Sequence, residues 1–199
     1  MTNSWFNSFL LTFVPLFVVI DTIGNLPVIV SLSEGLTPGQ RRQMIHLAAL
    51  TATAVGLAFL LLGKLVLSLM GISVGAFAIA GGLILLILSI RFMTTGHFIE
   101  VIRSDMMAVV PIGTPITVGP ATITTLLLLS NNFPLYLVLL AFVLNMLVNW
   151  VIFLAGERIA RLIGRGGIMA ISRVLNLLLA AIGVNMMIQG LRLIGIIEG

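Results

Sequence analysis

The sequence contains no cysteine, which excludes disulfides and thiolate metal sites and leaves the redox compartment unread. Charge is scarce as well. Asp, Glu, Lys and Arg make up 8% of the 199 residues against 60% hydrophobic, and a mean hydropathy of +1.25 is far above what a soluble domain can present to water. The composition therefore specifies an integral membrane protein in a lipid bilayer. Lys and Arg are missing from Met1 to Ser8, so the first apolar run lacks the basic flank of a cleaved signal peptide and is expected to be a retained span. The net charge of +4 does not point to nucleic acid, because the ten basic residues sit in short linkers between apolar runs, where they set topology. Nucleophile-elbow, phosphate-loop and zinc-protease motifs are all lacking, so neither an enzyme nor a cofactor is expected. His46 and His97, in or beside linkers and without metal-ligand spacing, read as ordinary surface residues.

What is present is a series of apolar runs, each near the ~20 residues that a helix needs to cross a bilayer. They fall at about Phe6 to Leu32, Met44 to Met70, Ile72 to Thr95, Met107 to Ser130, Pro134 to Gly156 and Ile168 to Leu193, which predicts an all-α protein of six transmembrane helices. A sharp turn at Gly71 separates the second run from the third, because Met44 to Thr95 is about twice one crossing. Eight arginines (41, 42, 91, 103, 158, 161, 165 and 173) lie on the side of the loops after spans one, three and five, against Lys64 and Arg192 on the other. By the positive-inside rule the arginine-rich side is cytoplasmic, which puts both termini in the periplasm of a bacterial-type inner membrane.

The two halves match at a nearly constant offset: Thr22 and Gly24 with Thr117 and Gly119, Gly63 with Gly156, Gly96 with Gly190. Three spans per half force the second half to enter from the opposite side. The expectation is one membrane domain, residues 1–199, built as an inverted 3+3 repeat of 1–96 and 106–199. Small residues in span two (Ala48, Ala49, Ala52, Gly56) and span three (Ala76, Ala78, Ala80, Gly81, Gly82) predict close helix approach. Lys64 and Glu157, at repeat-related span ends, read as boundary anchors.

Spans one and four carry breaks. Pro111 to Pro120, Pro-Ile-Gly-Thr-Pro-Ile-Thr-Val-Gly-Pro, holds three of the seven prolines, and Pro15 to Pro27 holds Asp21-Thr-Ile-Gly-Asn25. Proline lacks an amide donor and clashes with the preceding turn, and backbone freed in this way must be buried in protein or line a wet cavity. The predicted binding residues are therefore Asp21, Thr22, Gly24 and Asn25 at the first break, and Thr114, Thr117 and Gly119 at the second. Asp21 is too deep to snorkel, and is read as a ligand or ion contact that also caps the half-helix beginning around Thr22. Asn145 and Asn149 in span five, and Asn185 and Gln189 in span six, are each four apart and share a helical face. They either line a polar path to the breaks or hydrogen-bond between helices.

Together Asp21-Thr-Ile-Gly-Asn-Leu-Pro27, Ile79-Ala-Gly-Gly-Leu83, Pro111 to Pro120 and Gly166-Gly-Ile-Met-Ala-Ile-Ser-Arg173 resemble the MarC family, also called the neutral amino acid transporter family. The resemblance covers nearly the whole chain. It implies a six-helix inner-membrane protein moving small neutral amino acids such as glycine and alanine, with proton or sodium coupling, and it carries the family signatures onto Asp21 to Asn25 and Pro111 to Pro120. Thr22 stands where relatives usually have proline and adds a hydroxyl; Asn176 stands where glycine is common. Export of other small metabolites, or a channel or non-transporting membrane partner, remain as alternatives. Substrate, coupling ion, direction and oligomeric state are not written in the sequence.

Overall fold

Among the described residues, four helices are long and apolar enough to cross a bilayer unaided, over residues 38–69, 74–91, 135–154 and 166–193. They correspond to the second, third, fifth and sixth apolar runs. The computed structural model describes residues 2–33, 35–95 and 117–197, and among these it contains helices and no strand. In chain order the helices are α1 (Thr2–Ile20), α2 (Leu26–Leu32), α3 (Pro38–Leu69), α4 (Val74–Thr95), α5 (Pro120–Asn132), α6 (Leu135–Leu154) and α7 (Gly156–Leu193). The first run is interrupted: α1 stops at Ile20, five residues of turn follow, and α2 continues for seven residues. Of the fourth run, Met107 to Ile116 lie outside the described residues, and α5 occupies 13 residues from Pro120. That is about 20 Å of helix against a hydrocarbon core of about 30 Å.

Local sequence explains where the helices start and stop. Thr37 and Gln40 form a capping box at the head of α3, in which the Thr37 hydroxyl accepts from the Gln40 amide and the Gln40 side chain accepts from the Thr37 amide. Pro38 occupies the first turn, where its missing donor costs nothing. The turn expected at Gly71 is present. Gly71 has φ 68°, and the amides of Gly71 and Ile72 bond back to Ser68 and Leu67 at 3.1 and 2.9 Å, a Schellman closure that suits glycine. In α7 a non-helical Gly164, φ 70°, separates an arginine-bearing first segment from the apolar remainder.

Small residues set the helix contacts. Gly56 receives the ring of Phe142, Gly63 receives Leu127, and Gly81 receives Thr124, each at a point where an added Cβ would overlap the neighbour. Ala52, Gly56, Ala78, Gly81 and Gly82 are buried as expected for packing residues, whereas Ala76 and Ala80 are exposed. The closest approach joins α4 to α7. A Cβ at Gly75 would lie 2.8 Å from the Gly190 carbonyl oxygen, and one at Gly183 would lie 2.7 Å from that of Gly82. Moving up α4 from Gly75 to Gly82 thus means moving down α7 from Gly190 to Gly183, so the pair is antiparallel. Helix α6 lies against α1 and α3, and α5 lies against α1, α3 and α4. Leu16, Ile20, Val118, Leu126 and Phe142 form the core between them. Two ties close the ends: Lys64 Nζ donates to the Ser130 carbonyl at 2.9 Å, and Arg41 pairs with Glu157. Both anchors therefore link helices as well as marking a boundary.

Candidate functional site: two helix breaks and the amides of α6

The sequence Asp21-Thr-Ile-Gly-Asn25 interrupts the first run by satisfying its own backbone. Asp21 adopts φ 46°, the left-handed region that Asp and Asn tolerate better than other side chains. Its Oδ1 accepts from the Gly24 amide at 3.1 Å. A Cβ on Gly24 would overlap that carboxylate, so the glycine is what lets the carboxylate fold back over the turn. Asn25 Nδ2 donates to the Ile20 carbonyl at 3.0 Å, occupying an acceptor that the end of α1 would otherwise leave open. Thr22 and Asn25 are buried.

At the second break Thr117 is buried, and its carbonyl accepts from the Thr122 hydroxyl at 3.0 Å. Gly119 is the N-cap of α5 and brings no side-chain acceptor to it, while Pro120 holds the first turn. Among the described residues, an added Cβ at Gly119, at the positive end of this half-helix, would meet nothing within 4 Å. Thr114 lies outside the described residues. Ile20 from the first break and Val118 from the second belong to one buried cluster, so a single core supports both.

Asn145 and Asn149 lie on the buried face of α6. Asn145 Nδ2 donates to the Phe13 carbonyl of α1 at 3.2 Å and to Ala141 at 2.9 Å, two acceptors that fix the orientation of the amide. Among the described residues its Oδ1, like those of Asn149 and of Asn176 on α7, is buried without a hydrogen-bond partner. Farther along the same face Phe153 packs in a cluster with Ile29 of α2. Asn149 thus lies one helical turn from each of Asn145, bonded to α1, and Phe153, clustered with Ile29 and Ile45. Orphaned buried acceptors are costly, and they mark places where a donor belongs.

Asn185 is not part of that group. It is exposed on α7 and lines a cavity of about 500 Å³ between α1, α5 and α7, together with Asn132, Gln189 and Arg192. Gln189 Oε1 accepts from Asn132 Nδ2 at 3.1 Å, an interhelical bond of the kind weighed for these amides. His46, read as a plain surface residue, accepts from Trp150 Nε1 at 2.9 Å. Three participants escaped the sequence reading. Thr122 carried a signal, a hydroxyl two residues past a helix-starting proline, whereas Asn132 and Arg192 acquire a place only through tertiary apposition.

The architecture defines a class: a multi-pass helical membrane protein whose first span is interrupted between Ile20 and Leu26. Its sequence matches the model of the MarC family of integral membrane proteins over residues 6–195. It is 32% identical over 196 residues to a UPF0056 membrane protein of Methanocaldococcus jannaschii, covering 92% of this chain and 96% of that one. To the UPF0056 inner membrane protein YhgN of Escherichia coli K12 it is 29% identical over 185 residues, covering 89% and 93%. The chain belongs to the MarC family. No solved structure matches it.

Proposed function

We propose that this protein is a secondary transporter of small neutral amino acids of the glycine and alanine type, working by alternating access and driven by a proton or sodium gradient. The observation that carries the reading is that, of the three side-chain oxygens buried without a partner among the described residues, two, those of Asn145 and Asn149, share one face of α6, the third being Asn176 on α7. An ammonium group supplies the donors those oxygens lack, with the Asp21 carboxylate as its counter-charge. The substrate carboxylate goes to the open start of α5, where first-turn amides and the Thr117 hydroxyl can donate. A zwitterion answers both ends of the site; a plain cation or anion answers one.

An inverted repeat of six spans fits this reading. The antiparallel α4–α7 seam is the contact that a pseudo-two-fold axis would place between equivalent third spans, and α6 lies on α1 as α3 lies on α5. Both termini then face the periplasm, as the arginines require. A reporter active only in the cytoplasm, fused after Gly199, is expected to be silent, and a strong signal would reverse the orientation.

The transport reading is tested by uptake of labelled glycine, alanine and leucine into proteoliposomes, with a proton gradient, a sodium gradient or neither. Accumulation of glycine and alanine under one gradient is expected. No uptake of any of the three would sink the proposal. Gly119→Ala is a second test, because its Cβ meets none of the described residues within 4 Å. Folding should survive within about 1 kcal/mol, the range of N-cap exchanges, while glycine affinity falls severalfold because the methyl intrudes on the carboxylate position. Unchanged affinity would remove the start of α5 from the site.

A further inference from the structure

The cavity between α1, α5 and α7 is separate from the breaks. On α1 its lining reaches Pro15, six residues before Asp21, or about 9 Å at helical rise. On α5 and α7 it reaches Thr125 and Met186, whose hydroxyl and sulfur are 3.6 Å apart. Met186 in turn packs with Val18, Val19, Ala121 and Leu179 in one buried apolar cluster. The cavity is thus a vestibule at the end of the bundle where α5 and α7 finish. At about 500 Å³ it is within the size range of small-molecule sites and far larger than glycine requires.

Its chemistry is divided. Its lining brings Arg192 and the amides of Asn132, Asn185 and Gln189 together with the apolar Leu11, Leu129 and Phe133. Arg192 is the one charged group in that lining among the described residues. As a last-turn arginine it complements the dipole of α7, yet that effect fades within a turn and is weaker than a charge-assisted bond to a carboxylate. We propose that this vestibule binds an amphipathic organic monoanion, its acidic group on Arg192 and the neighbouring amides, its apolar body against α1 and α5. The site is independent of the transport reading, and its test involves no transport.

The probe is labelled octanoate, measured by equilibrium dialysis against the full-length protein in phosphatidylcholine nanodiscs, with empty nanodiscs subtracted. Saturable binding above the empty discs is expected for octanoate and not for octylammonium, which has the same chain and the opposite charge. Arg192→Gln should weaken octanoate binding about tenfold through loss of the charge-assisted bond. Asn185→Trp, which adds bulk at an exposed lining position, should weaken it at least as much, with an unchanged melting temperature showing that the fold is intact. Binding equal to that of empty discs, equal binding of octylammonium, or insensitivity to both substitutions would each overturn the proposal. A lipid headgroup offers the same monoanion on an apolar stem. Phosphatidylglycerol titrated into the discs distinguishes the sources: displacement of octanoate assigns the vestibule to lipid, and retention assigns it to a free solute.

Discussion

Asp21→Asn is expected to leave the protein folded and to weaken glycine binding about tenfold, the difference between a hydrogen bond to a charged group and one to a neutral group. Asparagine tolerates the left-handed conformation of this position, and its Oδ1 can still accept from the Gly24 amide, so only the charge is removed. Asp21→Ala removes more. It forfeits the bond to Gly24 and imposes about 1–2 kcal/mol of left-handed strain, so its melting temperature should fall where that of the asparagine variant does not. Calorimetric titration of purified protein with glycine, beside thermal melts of all three proteins, separates the two roles. If Asp21→Asn bound glycine as tightly as the native protein, the carboxylate would be a cap for the turn and nothing more. Retained pH-gradient dependence in the residual flux of Asp21→Asn is also expected, since the carboxylate is taken here as a fixed contact. Its loss at unchanged affinity would make Asp21 the proton carrier.

The largest structural effect is expected at Gly183. Valine there would place its Cβ 2.7 Å from the Gly82 carbonyl oxygen and 3.1 Å from Leu85 Cβ, and a backbone carbonyl in a helix cannot turn aside. Overpacking against adaptable side chains costs about 1–3 kcal/mol, and the cost here should exceed that range. Gly183→Val should therefore fail to accumulate in the membrane, or melt far below the native protein in detergent. Gly166→Ala is the control. A Cβ at Gly166 meets nothing within 4 Å, and alanine is favoured over glycine inside a helix by up to about 1 kcal/mol, so this variant should be at least as stable as the native protein. Native-like accumulation of Gly183→Val would show that α4 and α7 can separate at no cost.

Backbone chemistry was the part of this molecule most legible in the sequence. Gly71 turned the chain, Pro120 began a helix, and Asp21 to Asn25 ended one, because proline, glycine and short polar side chains act within a few residues of themselves. Membrane character followed from hydropathy, and the burial of Asn145 and Asn149 on one face followed from their spacing of four. Contacts between distant segments were less visible. Gly81 and Gly82 were read as packing residues, but nothing in the sequence said that Gly82 would meet Gly183 and Gly75 would meet Gly190. Glu157 was read as a boundary anchor, and its bond to Arg41 depends on how α3 and α7 are docked. Asn185 and Asn145 are the same residue type in the same kind of run, yet one faces a vestibule and the other the core. Helical period fixes which residues share a face; it does not say what that face meets.

The glycine seam also divides the molecule into parts that can move and a part that cannot. At its glycines the contact between α4 and α7 runs backbone to backbone, with the side chains of Ile79, Leu85 and Met187 packed beside them. The paired glycines are seven residues apart on each helix, about 10 Å at helical rise, and a slide by that length would keep only one of the two pairs. Smaller shifts drive a side chain into a carbonyl. Under the proposed transport function, this pair is the expected fixed frame, and the interrupted first span and α5 are the expected moving parts. Cross-linking α4 to α7 should therefore be harmless to turnover, whereas cross-linking α2 to α7 should arrest it.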